Sequence, residues 1–127
     1  MKESKKMNRF LVTGGSGFIG SHIVEELLSQ GHKVIVIDDE SANENHDFYK
    51  FKNAFYYKMD ICDNETSNLY KDIDVVFHLA AKSRIQPTID DPTGAFNANV
   101  LGTGKVLKHA YEAGVKKVIY SSSSSCY

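Results

Sequence analysis

Gly14, Gly17 and Gly20 lie in the run Thr13-Gly14-Gly15-Ser16-Gly17-Phe18-Ile19-Gly20, and their spacing suits the cradling of a pyrophosphate. Glycines allow a tight turn and let the backbone approach phosphate oxygens with no Cβ in between. If a helix opens at this point, the N–H groups of Phe18 and Ile19 face the anion with the helix dipole behind them. Gly20 would then let that helix pack closely on a sheet. A glycine triplet alone is a weak signal, and it gains force only between a strand and a helix. Asp38 is the second residue of interest. A carboxylate closing the second strand accepts hydrogen bonds from both hydroxyls of an adenosine ribose and repels a 2′-phosphate, which favours NAD over NADP. The plainer alternative is that Asp38 and Asp39 only begin a polar loop. No Gly-Lys-Ser/Thr follows the glycines, which counts against a P-loop NTPase.

The elements needed to position these residues are legible in the pattern. Arg9–Thr13 reads as a first strand feeding the glycine turn. A helix from about Gly17 to Gln30 follows, with Ile19, Ile23, Val24, Leu27 and Leu28 at helical spacing and Gly31 as its left-handed stop. Val34–Ile37 is apolar without alternation, as in a strand covered on both faces. The polar stretch from Asp39 to Asn53 predicts a loop with at most a short helix. Phe55–Met59 and Asp74–Leu79 read as the third and fourth strands, with a brief helix over Asn64–Tyr70 between them. From Pro92 a helix runs to Glu112 with Phe96, Val100, Thr103, Leu107 and Ala110 as its stripe, stopped by Gly114. Lys117–Tyr120 is the fifth strand. Alternating strands and helices predict an α/β fold, a Rossmann-type doubly wound parallel sheet.

Bulk properties narrow the function classes. The sequence has 127 residues, enough for one domain, expected as a solvated leader over 1–8 and a nucleotide-binding domain over 9–127. Fifteen basic and 16 acidic residues give a net charge of −1, no footprint for nucleic acid or an anionic membrane. Apolar runs fall far short of a membrane span. Cys62 and Cys126 lack metal-ligand spacing, and the simplest location is a reducing cytoplasm.

Five motifs in order carry a resemblance to a family. Thr13 to His22 closely resembles the opening of extended short-chain dehydrogenases/reductases, the NAD-dependent nucleotide-sugar epimerases and dehydratases. Met59-Asp60-Ile61 looks like the family's Asp-Ile pair, whose carboxylate and backbone N–H read the adenine edge. His78-Leu79-Ala80-Ala81 is similar to the fourth-strand motif, where small residues let the cofactor lie against the strand end. Asn99-Val100-Leu101-Gly102-Thr103 resembles the Asn-Val-x-Gly-Thr segment, whose Asn helps organise the site. Val118 to Ser123 followed by Tyr127 matches the fifth strand and the catalytic Ser/Thr turn, with Ser123 at the catalytic position and Ser125 near the sugar. Plainer roles stand beside each of these: Asp60 capping the short helix, Asn99 exposed, and the serines a flexible run in which register slips easily. His78 is expected to be a packed strand histidine without chemistry, and Lys82 and Ser83 lie where the family's loop approaches the substrate.

The resemblance also implies a Tyr-x-x-x-Lys pair beyond the serine turn, which these 127 residues do not contain. The sequence is therefore expected to be an N-terminal piece, truncated after about five strands and inactive by itself, whose full-length form takes a nucleotide-sugar substrate. Self-association through the edge of the fifth strand, or through the apolar face of the Thr93–Glu112 helix, is a further expectation; in the family that helix contributes to a dimer-forming bundle. A non-catalytic NAD-binding module is the rival from another class.

Overall fold

The computed structural model describes residues 7–40, 50–80 and 100–120. Its elements are β1 (Arg9–Thr13), α1 (Phe18–Ser29), β2 (Lys33–Ile37), β3 (Phe55–Tyr57), a 3-10 helix (Asn64–Tyr70), β4 (Val75–His78), α2 (Gly102–Ala113) and β5 (Lys117–Tyr120). The strands form one sheet in the order β3-β2-β1-β4-β5, and every pairing is parallel. This is the predicted doubly wound α/β architecture. The chain winds outward from β1 through β2 to β3, then crosses back to place β4 on the other side of β1. Carboxyl ends of β1 and β4 therefore flank a switch point, where open α/β sheets bind ligands.

Alternation along the central strands divides the core in two. Phe10, Val12, Val34 and Val36 face α1 and pack on Val24 and Leu27. Leu11, Ile37 and Val76 face the opposite layer, where Ile61, Tyr70 and Ile73 join Val106 and Ala110 of α2. Gly31 and Gly114 adopt the left-handed conformation after α1 and α2, as their positions predict.

Two helical stripes differ from expectation. Ile19 belongs to the apolar set of α1 by spacing, yet it is 62% exposed at the head of the helix beside Phe18 at 71%. In α2 the buried side is Gly102, Val106, His109 and Ala110, while Leu107, like Val100 just before the helix, faces outward. That helix has apolar residues on two faces, and periodicity alone cannot say which one meets the sheet. The small Gly102 and the ring of His109 settle it, the latter by stacking edge-on against Tyr70 at 5.3 Å. The start of the Pro92 helix lies outside the described residues.

Tyr70 is fully buried, and its hydroxyl has no hydrogen-bond partner among the described residues. Burial pushes the phenol's pKa well above its ordinary value. An unpaired buried hydroxyl costs free energy, while its aromatic ring supplies the packing. Tyr70→Phe is expected to stabilise the fold by about 1 kcal/mol in urea denaturation.

Candidate cofactor site

The glycine loop is held by backbone contacts. Gly14 has φ +74°, and a Cβ there would lie 2.9 Å from the amide nitrogen of Ala80. A Cβ on Gly20 would collide with the carbonyl oxygen of Gly14. The loop closes on itself through the Gly17 N–H, which donates to Gly14 O at 3.2 Å, and it is tied to β2 by the Gly14 N–H donating to Ile37 O at 2.9 Å. Gly17 differs from its neighbours. Its φ of −78° is open to any residue, and a Cβ there would meet nothing nearer than Gly14 O at 3.5 Å. Neither packing nor backbone conformation requires glycine at 17; its bareness keeps space clear at the head of α1. The first turn of α1 has no acidic residue, and helix geometry leaves its leading N–H groups without carbonyl partners in the helix. The buried Ser16 hydroxyl is likewise without a partner among the described residues.

Asp38 turns toward this loop. One carboxylate oxygen accepts the Ser16 N–H at 3.0 Å, and the other accepts the Glu40 N–H at 2.8 Å. Partial burial raises its pKa from the ordinary carboxylate value, against the lowering effect of the two N–H donors. Glu40 has φ +61°, and Lys50 at 2.6 Å and Lys58 at 3.7 Å hold its own carboxylate. Asp38 is thus an integral wall of the loop and not merely the first residue of a polar segment.

Asp60 is exposed, and it accepts the Cys62 N–H at 2.9 Å. The residue at the N-terminus of the 3-10 helix is Asp63, so Asp60 does not cap that helix. Ile61 buries its side chain in the core. Leu79 and Ala80 follow β4 directly against Gly14, with the Leu79 N–H donating to Thr13 O at 3.1 Å. Ala81, Lys82, Ser83, Asn99, Ser123, Ser125 and Tyr127 lie outside the described residues.

Three residues that sequence reasoning left unassigned join the described site: Ser16, Thr13 and Thr103. Thr13 Oγ1 accepts the N–H groups of Leu79 at 3.0 Å and Ala80 at 3.1 Å, and lies 2.6 Å from His78 Nδ1. His78 Nε2 lies 2.8 Å from Thr103 Oγ1. His78 is 2% exposed, as its expected packing requires, and burial lowers its pKa from 6.5 to about 4. No periodic signal marks such residues, because a strand-end threonine and a mid-helix threonine meet only after folding.

Residues 10–127 match the model of the NAD dependent epimerase/dehydratase family. The chain belongs to that family. The UDP-glucose 4-epimerase of Mycolicibacterium smegmatis is 38% identical over 120 residues, covering 91% of this chain and 38% of that protein. The UDP-N-acetyl-alpha-D-glucosaminuronate decarboxylase of Bacillus cytotoxicus is 37% identical over 129 residues, covering 94% of this chain and 37% of that protein. A crystal structure of UDP-glucose 4-epimerase with UDP-glucose, from Thermotoga maritima, superposes with a TM-score of 0.83 at 36% identity, covering 91% of this chain and 38% of that one. The chain thus spans somewhat more than a third of these relatives' length. No helix among the described residues is long and apolar enough to cross a membrane, and none of their side chains cluster as a metal site.

Two outcomes follow from this geometry. Gly20→Ala should cost roughly 2 kcal/mol or more, because backbone must move to admit the methyl group, whereas Gly17→Ala should stay within about 1 kcal/mol of the parent. Thermal and urea unfolding of the pair test this contrast. His78 also makes stability depend on pH. Its folded pKa lies below its unfolded value, so its contribution is complete above about pH 6.5 and declines as acid protonates the unfolded state. From this residue alone, stability at about pH 5 should lie about 2 kcal/mol below that at about pH 7.5. The raised pKa of Asp38 acts in the opposite direction, so His78→Phe is the control that isolates the histidine's share of the urea-measured dependence.

Proposed function

We propose that this chain is the cofactor-binding part of an NAD-dependent nucleotide-sugar epimerase or dehydratase. The carrying observation is the tie between Asp38 and the glycine loop, a 3.0 Å hydrogen bond from the Ser16 N–H to the carboxylate. It puts an acceptor suited to ribose hydroxyls beside a backbone cradle suited to pyrophosphate, at the switch point of the sheet. Gly14, Gly17 and Gly20 shape the cradle, and the N–H groups of Phe18 and Ile19 receive the phosphates. The clear space at Gly17 and the Ser16 hydroxyl, without a partner among the described residues, fit an anion there. Asp38 takes the adenosine ribose, Asp60 and the Ile61 N–H take the adenine edge, and Leu79, Ala80 and Ala81 line the wall beneath the cofactor, with Asn99 organising the site.

Bound NAD supplies a hydride acceptor that can also return the hydride. In this reading Ser123 donates a hydrogen bond to the sugar oxygen at which the proton is lost, and nucleotide-sugar is the substrate of the whole enzyme. Relatives of nearly equal identity include an epimerase and a decarboxylase, so the family's shared cofactor part supports no choice among outcomes. The domain extends over residues 9–127 after a leader at 1–8, and its setting is cytoplasmic.

Self-association through α2 belongs to the same proposal. Leu107 is 50% and Tyr111 87% exposed on its outer face, with Val100 just before the helix 54% exposed, so large apolar side chains gather there. Light scattering across micromolar concentrations should report a dimer or larger species, and Leu107→Glu with Tyr111→Glu should return it to monomer. A monodisperse monomer of the parent would refute this part.

Calorimetric titration tests the cofactor assignment. The parent chain should bind NAD in preference to NADP. Asp38→Ala should weaken NAD about ten- to a hundred-fold and narrow that preference, as expected on losing two charge-assisted hydrogen bonds. Gly17→Ala should weaken NAD at least about ten-fold while leaving the fold intact. No binding of either dinucleotide at millimolar concentration would overturn the assignment for this chain.

A further inference from the structure

The partners of the two hydrogen bonds on the buried His78 ring favour one proton order. Thr13 Oγ1 accepts two backbone N–H groups, from Leu79 at 3.0 Å and Ala80 at 3.1 Å. Both lone pairs of a hydroxyl oxygen are then engaged, and its single proton is free to donate. The acceptor 2.6 Å away is His78 Nδ1. A ring nitrogen that accepts must be unprotonated, so the neutral ring carries its proton on Nε2 and donates it to Thr103 Oγ1 at 2.8 Å. The chain of donors runs from the Leu79 and Ala80 amides through Thr13 and His78 to α2.

We propose that His78 is a positioning residue, a strut with a fixed tautomer by which α2 holds the Thr13 hydroxyl against the Ala80 N–H and so seats the cofactor wall on the glycine loop. The Leu79 N–H has a second acceptor in Thr13 O at 3.1 Å, whereas among the described residues the Ala80 N–H donates only to the Thr13 hydroxyl. Ala80 is also the residue whose amide nitrogen would meet a Cβ on Gly14 at 2.9 Å. Were the ring to flip to the other tautomer, Nδ1–H would compete with that amide for the same oxygen. The two amides already on Thr13 Oγ1 disfavour that tautomer, and Thr103 Oγ1 supports the first one by giving Nε2–H an acceptor. The cofactor end of the inference rests on the NAD reading; the strut itself does not.

Thr103→Val keeps the branched shape and removes the hydroxyl, and Thr103→Ser restores it. In the parent chain, nitrogen-15 spectra of the His78 ring should show an unprotonated Nδ1 and a protonated Nε2 at neutral pH. Thr103→Val should speed amide hydrogen exchange at Ala80 about ten-fold relative to Val36 in β2, and Thr103→Ser should recover most of the protection. NAD affinity should fall about ten-fold in the valine variant and recover in the serine variant. A protonated Nδ1 in the parent, or Ala80 exchange that moves only in step with Val36, overturns the strut. Normal NAD affinity in a valine variant with fast Ala80 exchange overturns its link to the cofactor. If the parent binds no NAD, the cofactor reading fails separately, and the ring spectra and the Ala80 exchange still decide the strut. His78→Phe, if it folds, should match the valine variant in Ala80 exchange, and slow exchange in it counts against the strut.

Discussion

A Cβ at Gly20 would overlap the carbonyl oxygen of Gly14, and a Cβ at Gly14 would press on the amide of Ala80. Backbone lies against backbone at both points, with no side chain to cushion either contact. This close approach brings the head of α1, the end of β1 and the end of β4 together. It is also what the proposed anion site would depend on. Side chains in that crowded loop would both push the helix away and fill the volume a phosphate needs.

The contact is held by polar neighbours that are themselves hydrogen-bonded, the Ser16 hydroxyl excepted among the described residues. Asp38 is fixed by two N–H donors, one of them from within the glycine loop. Thr13 is fully buried, yet its hydroxyl accepts two amides and reaches a ring nitrogen. Buried polar groups arranged this way rigidify a site, whereas one missing partner would leave an expensive orphan. Layers of apolar residues behind them, Val12 and Val36 on one face and Leu11 and Ile37 on the other, keep the strands in register with the loop.

Much of this was legible before folding. Apart from the expected helix start at Pro92, which lies outside the described residues, strand and helix boundaries fall within a few residues of expectation, because glycine stops and uninterrupted apolar runs are local signals, as at Gly31, Gly114 and Val34–Ile37. The 3-10 helix at Asn64–Tyr70 and the fifth strand at Lys117–Tyr120 fall where expected. The apolar stripes were less secure. Ile19, Val100 and Leu107 fit helical spacing, yet they face outward, since spacing marks a face without naming what it meets.

The sequence by itself determined the strand–glycine turn–helix unit, the acidic close of β2, the parallel α/β class and the family, because each depends on neighbours in the chain or on a motif read in order. Only the tertiary structure decided which face of α2 is buried, that Asp38 engages the Ser16 amide, and that Thr13, His78 and Thr103 form one line of hydrogen bonds. Those partners are far apart in the chain and meet only through sheet pairing and helix packing. The glycine loop carries its chemistry in local backbone freedom, whereas the strut behind it exists only where β1, β4 and α2 converge.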